Sequence, residues 1–453
     1  MTQYGKTLPS GTGIWLAVIL TFLCPVSGQS ADTPALATPG TISEPAGAQQ
    51  ATVLSLEEVV RIALENHSSV KSAEYQIGAQ DAVLHQQMAA YYPTVNFNNS
   101  YRTSSSSSGS SGGSNAFDTV SSAANVTMTL YNFGKREGSV QSASDTLDAT
   151  RYGFNATSNN IVLAAKQAYY GVLQANALLR VNEETVRDRE AVLRQTRGFY
   201  DVGTKPKSDV TQAEANLYLA QASLITAQNS VDTAWASLRN AMGLDDFPKQ
   251  PLAEELAVAP LSITLNEAQE AAIAARPELL QFKSLLKAQD ELIAVARRNH
   301  LPDILFNSSY GRQNSNQDGK LFPLHPNWQV QVSLNIPIFN GFQTTNQLQQ
   351  ALYSYRSIKE QERLQRQQVA LQVEQNYLNV NATREAVKAN EAAVKAAKEN
   401  LDLHEGRYQV GYASIVEVTS AQTTYTTAQT NYVNALISYK LAMAQLVNAM
   451  GRQ

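Results

Sequence analysis

Side chains able to do acid–base, nucleophilic or metal chemistry are few in this 453-residue sequence, and their spacing does not bring them together. The five histidines, His67, His85, His300, His325 and His404, are scattered, with none of the pairings that set two imidazoles on one helix face around a metal ion. The one cysteine, Cys24, lies in the apolar run Ile14 to Cys24, and there is no glycine-rich phosphate loop. The sequence therefore predicts no catalytic, cofactor or metal site, and a protein that is not an enzyme. Two carboxylates are of interest for their charge. Asp209 and Glu417 each fall in the first turn of a predicted helix, where a carboxylate complements the helix dipole by ~0.3 to 1 kcal/mol.

Basic and acidic residues nearly balance, 35 Lys and Arg against 39 Asp and Glu, and no basic stripe stands out, which speaks against a nucleic-acid partner. Lys6, the apolar run and the small residues Val26-Ser27-Gly28 read as a secretory signal peptide over residues 1–28. Cleavage there leaves a mature chain without cysteine. Lipidation of Cys24 is the weaker alternative, because Thr21-Phe22-Leu23 puts bulky residues where a lipoprotein signal wants a small one. No later stretch approaches the ~20 apolar residues of a membrane helix. A membrane span must therefore be made of strands.

The elements that would position any site are written twice. Leu54-Ser55-Leu56-Glu57-Glu58 matches Ile263-Thr264-Leu265-Asn266-Glu267, and Pro93 matches Pro302 at the same offset of 209. At an offset of 208, Leu130-Tyr131-Asn132 meets Ile338-Phe339-Asn340, Tyr200-Asp201-Val202-Gly203 meets Tyr408-Gln409-Val410-Gly411, and Asn240-Ala241-Met242-Gly243 meets Asn448-Ala449-Met450-Gly451. The one-residue gap falls near the Ser104 to Ser108 run, which reads as solvated loop. The expected organisation is a signal peptide (1–28), a flexible leader (29–53), a first repeat (54–243), a linker (244–262) and a second repeat (263–451).

Each repeat opens with a helical pattern, Leu56 to Tyr92 and Leu265 to His300, stopped by Pro93 and Pro302. Alternating segments follow. Val95, Phe97 and Tyr101 are matched by Ile304, Phe306 and Tyr310, while Trp328, Val330, Val332, Leu334 and Ile336 interleave with Gln329, Gln331, Ser333 and Asn335. Two-faced strands of about 9 to 11 residues suit a transmembrane β-barrel, and equally a half-exposed sheet. Four strands cannot close a barrel, so the membrane reading requires an oligomer.

The long helices have a period of seven. Val210, Leu217, Leu224, Val231 and Leu238 are each followed three residues later by Ala213, Ala220, Ala227, Ala234 and Ala241. The second repeat gives Val418, Tyr425, Tyr432, Tyr439 and Leu446, with Ala421, Ala428, Ala435, Ala442 and Ala449. Such seams specify coiled-coil packing with close backbones. The preceding helices share the spacing and, at ~1.5 Å per residue, reach about 100 Å.

In its duplicated helix–Pro–strand–loop–strand–long-helix order, its Tyr131-Asn132-Phe133-Gly134 and Phe339-Asn340-Gly341 strand exits and its Tyr-x-x-Gly turns, the chain resembles the TolC-type outer membrane efflux protein family over essentially its whole mature length. The resemblance implies a mainly α fold with a β-barrel portion. Three chains would form a twelve-stranded outer-membrane barrel continued by a twelve-helix periplasmic α-barrel, with Thr103 to Asp118 and Gly311 to Pro326 as outer loops. It implies a homotrimeric channel in outer-membrane lipid, served by a periplasmic adaptor (a membrane fusion protein) and an inner-membrane pump. Drug or metal efflux and type I protein secretion share this kind of duct.

By the same resemblance the periplasmic tip consists of the turns Val202-Gly203-Thr204-Lys205-Pro206 and Val410-Gly411-Tyr412-Ala413, with Val202, Gly203, Thr204, Val410, Gly411 and Tyr412 foremost. These are candidates for adaptor docking as well as simple helix-ending turns. Tyr408, Glu417 and its counterpart Asp209 are the gate candidates, the acids serving as a constricting ring, as dipole partners, or as both. The family's basic gate position falls on Ala413, and its second acidic position on Ser420. A soluble periplasmic coiled-coil scaffold or adaptor is the competing reading, and it has no use for the two-faced strands.

Overall fold

The computed structural model describes residues 53–107, 114–253, 262–316 and 322–452; the signal peptide, Cys24 and nearly all of the leader lie outside the described residues. The first half runs α1 (Leu56–Asn66), α2 (Ser68–Met88), a single 3₁₀ turn (Ala89–Tyr91), β1 (Thr94–Ser107), β2 (Ser114–Tyr131), α3 (Lys135–Asp201) and α4 (Lys207–Met242). The second half repeats the order as α5 (Leu265–Ala275), α6 (Pro277–Arg298), β3 (Asp303–Asn316), β4 (His325–Asn335), α7 (Gln343–Gln409) and α8 (Ile415–Ala449).

The opening helix of each half is broken, where the periodicity predicts one continuous stretch. Arg276 (φ −62°, ψ 120°) breaks the second because it precedes Pro277, whose ring disfavours helical geometry before it and whose fixed φ then suits the first position of α6. His67 (φ −65°, ψ 126°) breaks the first and restarts it, its Nδ1 accepting the Ser69 N–H at 3.2 Å. Both breaks are met by the chain ending the following hairpin. Gly243 (φ 70°) and Gly451 (φ 76°) lie so close that an added Cβ would sit 2.6 Å from His67 Cα and 2.9 Å from Arg276 N. Met242 and Met450, just before these glycines, are buried.

The four strands form one antiparallel sheet in chain order. Its register gathers the apolar residues on one face: Phe97, Ala124, Tyr310 and Trp328 form a row, beside Val95, Val126, Ser308 and Val330, then Met128, Phe306 and Val332. The other face carries neutral polar rows, Asn96–Asn125–Ser309–Gln329 and Thr94–Thr127–Asn307–Gln331. Phe97 and Trp328 are 72 % and 70 % exposed, so among the described residues nothing covers this part of the apolar face.

The strands reach further than the loops expected from sequence allow. Ser104 to Ser107 continue β1 and pair with Phe117 to Ser114 of β2. In the second half β3 runs to Asn316 and β4 begins at His325. A partner strand satisfies every backbone N–H and C=O whatever the side chain, and this outweighs the weak strand preference of serine.

Both strand exits pass through two consecutive left-handed residues, Phe133 (φ 54°) with Gly134 (φ 85°), and Gly341 (φ 63°) with Phe342 (φ 64°). The glycine takes opposite places in the two repeats, so each exit holds one phenylalanine in a conformation that costs about 1 kcal/mol or more.

α3 and α7 each have 67 residues. α3 pairs with α4, and α7 with α8, along the heptad seams. All five alanines of the α8 seam are buried, as are Ala213, Ala220 and Ala227 of α4. Two equivalent cores result. In the first, Val59 and Ala63 of α1 pack with Val172, Leu238 and Met242; in the second, Ala268 and Ala272 of α5 pack with Val380, Leu446 and Met450. The start of the linker is pinned to the first core. Leu54 N–H donates to Pro251 O at 2.9 Å, and Tyr169 OH donates to Ala253 O at 2.6 Å.

Candidate functional site

The two helix hairpins end in turns of the same construction. Thr204 N–H bonds Phe199 O at 2.9 Å and Gly203 N–H bonds Tyr200 O at 2.9 Å; Tyr412 N–H bonds Arg407 O at 2.8 Å and Gly411 N–H bonds Tyr408 O at 3.1 Å. This pair of bonds closes the last carbonyls of α3 and α7, and it requires the left-handed residue that Gly203 (φ 76°) and Gly411 (φ 84°) supply. Val202, Val410 and Tyr412 are 72 %, 68 % and 79 % exposed, so each turn presents apolar side chains to water. Thr204 turns its hydroxyl back to Phe199 O at 2.8 Å.

The next helices start differently. Ser414 caps α8 in a capping box: its Oγ accepts the Glu417 N–H at 3.3 Å, and Glu417 Oε1 accepts the Ser414 N–H at 3.1 Å. These bonds, first from the Ser414 backbone and then from its hydroxyl, hold the Glu417 carboxyl below the usual carboxylate range. His404 Nδ1 at 3.6 Å and Arg407 Nη1 at 3.9 Å approach its other oxygen. Glu417 is thus engaged locally on both oxygens. In the first hairpin Pro206 stands at the cap and has no side chain to offer. Among the described residues the Asp209 carboxylate has the Ser208 hydroxyl alone, at 3.4 Å, and it is the freer of the two acids.

Tyr408 lies at the junction of the hairpins. It packs with Val192 of α3 and with Ala413, Ile415 and Val418 of the second hairpin, and its ring meets Phe199 edge-on at 5.8 Å. Its hydroxyl is 3.2 Å from Thr196 Oγ1. Burial pushes the phenol up, and the charge of Asp209 adds in the same direction. Of the gate candidates, Tyr408 thus feels the charge of Asp209, while Glu417 is drawn into the cap of α8.

Lys205 joins this group. It reaches from the first turn to the second, Nζ lying 3.5 Å from Ala413 O and 4.9 Å from the Tyr408 ring centroid. Sequence reasoning set Lys205 in the first tip turn but looked for the basic gate residue only at 413, although 205 and 413 stand 208 apart like the neighbouring pairs.

Between Val192 packed on Val418 near the tip and Ile437 packed in the first core, the contact of α3 with α8 carries a run of polar pairs that the seams within the hairpins lack. Arg189, 8 % exposed, donates to Gln422 Oε1 at 2.6 Å and to Thr423 Oγ1 at 3.0 Å, and Gln422 passes a bond of 3.4 Å to Glu405 of α7. Thr185 meets Thr426 at 3.1 Å, Gln429 donates to Glu184 at 3.2 Å, and Gln174 donates to Asn434 at 2.8 Å. Burial raises the Asp188 carboxyl, with Glu184 adding to it, and burial raises Glu405 as well, with Asp188 contributing. No heptad signal marks these residues. They occupy the flank of α3 that only the second hairpin covers.

Among the described residues no three His, Cys, Asp or Glu side chains gather as metal ligands, and no helix is long and apolar enough to cross a membrane.

Known proteins resemble the chain in both sequence and fold. It is 26 % identical over 378 residues to the outer membrane protein TolC of Vibrio cholerae, covering 81 % of this chain and 84 % of that protein. It is 24 % identical over 296 residues to a probable efflux pump outer membrane protein, TtgC, of Pseudomonas putida, covering 63 % and 60 % respectively. Its fold matches the Campylobacter jejuni CmeC outer membrane channel with a TM-score of 0.76 at 16 % identity, over 92 % of this chain and 94 % of the other. A membrane protein from Pseudomonas aeruginosa matches at a TM-score of 0.76 and 21 % identity, over 87 % and 93 %. The family model for the outer membrane efflux protein covers residues 59–244 and 269–452, one match to each half. On these two matches, which take in the strands, the long helices and both turns, the chain belongs to the outer membrane efflux protein family.

Proposed function

We propose that three copies of the chain assemble into a passive exit duct. The observation that carries this is the sheet: four strands with open edges, one exposed apolar face and one neutral polar face. Twelve such strands would close a barrel with the apolar rows toward lipid and the Asn, Gln, Ser and Thr rows toward water. Within β4 the apolar positions Trp328 to Leu334 cover about 20 Å along the strand at ~3.3 Å per residue, or about 15 Å of height at a tilt of ~40°, which fits inside the ~25 Å apolar band of an outer-membrane barrel. Outer-membrane residence and a channel fold go with the family.

In this reading the helices continue the duct through the periplasm, and the two turns form its entrance. The polar α3–α8 seam supports an opening motion there. Its hydrogen bonds can be exchanged for bonds to water at ~0.5 to 1.5 kcal/mol each, whereas parting the α7–α8 seam would expose a continuous apolar row. The exposed Val202, Val410 and Tyr412, with Gly203, Thr204 and Gly411 shaping their turns, form the surface offered to a periplasmic adaptor that links the duct to an inner-membrane pump. Asp209 and Tyr408 line the constriction, and Glu417 acts there chiefly by capping α8. No step requires a cofactor.

Detergent extraction of outer membranes tests the assembly. A trimer that dissociates on heating is expected, with its conductance measurable in planar bilayers. Recovery of the chain as a soluble periplasmic protein would favour the scaffold reading and end this one.

A further inference from the structure

Lys205 is, among the described residues, the basic side chain that crosses from the turn of one hairpin to the turn of the other. It has no carboxylate within ion-pair distance there. Its ammonium is placed instead against a carbonyl, Ala413 O at 3.5 Å, and over the face of Tyr408, 4.9 Å from the ring centroid. Both partners belong to the second hairpin. Tyr408 cannot turn away, since Phe199 packs on its ring and Thr196 engages its hydroxyl. Lys205 itself is half-buried, which strengthens an interaction that water would otherwise screen. Ala413 leaves the room that Lys205 enters: it is 6 % exposed, and no longer side chain competes for the place.

We propose that Lys205 is the latch of the resting tip, a positioning residue that holds the second hairpin against the first; this rests on reading the tip as the gate of the duct. The latch exists only while Tyr408 and the Ala413 carbonyl face the first turn. When α7 and α8 move off α3, the ammonium loses both partners together and returns to water. A carbonyl and a ring have no proton to exchange in the neutral range, so this contact holds across it, unlike a carboxylate pair. A docked partner that parts the hairpins must overcome this contact together with the packing of Tyr408 on Val192 and Phe199.

The purified trimer in planar bilayers provides the test, with wild type, Lys205→Met, Lys205→Arg and Tyr408→Ala compared at one salt concentration. Lys205→Met keeps the apolar stem and removes the charge. It is expected to shift the open–closed balance toward open by roughly two- to fivefold per protomer, while Lys205→Arg stays closed like wild type. Migration as a heat-labile trimer checks assembly, and Lys205→Gln is the substitute if the methionine variant does not assemble. Opening by Tyr408→Ala without opening by Lys205→Met or Lys205→Gln overturns the latch and leaves the gate standing. No change in either variant overturns the gate and the latch together.

Discussion

Tyr200 and Tyr408 end the same helix in two copies of one repeat, yet Tyr200 is 44 % exposed and Tyr408 is 1 % exposed. The difference comes from what lies beside each helix. Tyr408 faces α3, which brings Thr196 and Phe199 against it. Tyr200 faces outward on the flank where the chain has no further hairpin. The repeats are alike in sequence and unlike in neighbourhood, and a second copy of the chain would restore the likeness by laying its α7 along α4.

Tyr408→Ala is therefore expected to cost ~3 kcal/mol of packing at the tip, in the range for emptying an aromatic site. The cost should register as faster hydrogen exchange at the amides of Gly411 to Ser414. Tyr200→Ala is expected to leave those amides unchanged and to lower the dissociation temperature of the trimer. Equal exchange in the two variants would contradict the assignment of Tyr408 to the junction.

Gly243 and Gly171 respond oppositely to the same substitution. Gly243→Ala puts a Cβ 2.6 Å from His67 Cα at a positive φ and is expected to destabilise by ~2 to 4 kcal/mol. Gly451→Ala should behave likewise against Arg276. Gly171 lies inside α3 with nothing within 4 Å of an added Cβ, so Gly171→Ala is expected to stabilise by ~0.5 to 1 kcal/mol. Thermal melts of the three variants check both signs.

What the sequence disclosed follows from which interactions leave a period. Heptads and alternation come from apolar burial repeated at fixed spacing, so the seams of α4 and α8 and the faces of β1 to β4 could be read directly. Arg189, Gln422 and Glu405 meet across two repeats at one level only, and a single meeting has no period. Lys205 could be placed in the tip turn, but its reach to the second turn was hidden for a related reason: its counterpart Ala413 differs in type, so matching like with like gave it no role. The helix breaks were half legible, since Pro277 announces one and nothing comparable announces His67. The serine run misled because composition describes side chains, while the β1–β2 ladder is held by backbone.

The acids in the α3–α8 seam make its stability depend on pH. Burial raises Asp188 and Glu405 above their ordinary values of 3.8 and 4.5, so the folded seam binds protons more readily than the unfolded chain. Stability from these groups is then greatest below the ordinary values and is lost as pH rises through the raised ones. Glu417 works the other way. Its carboxyl is depressed, so its contribution is present above 4.5 and is lost as pH falls through the lowered value. Asp188→Asn with Glu405→Gln is expected to remove the loss of stability that sets in as pH rises above the ordinary carboxylate values and to leave the acid-side fall from Glu417. Melting curves across that rise decide it; a slope that persists in the double variant would rule out these two groups.

Thr185 and Thr426 offer a way to fix the seam. Their hydroxyls are 3.1 Å apart, so cysteines in their places lie within reach of a disulfide joining α3 to α8. The described residues contain no cysteine that would compete. Thr185→Cys with Thr426→Cys is expected to cross-link under oxidation without loss of the trimer, because it joins positions already in contact. If the entrance opens by parting this seam, the oxidised duct stays closed in planar bilayers even when Lys205→Met is added, and a reductant restores opening. An oxidised duct that opens as freely as the reduced one would place the moving surface outside the α3–α8 seam.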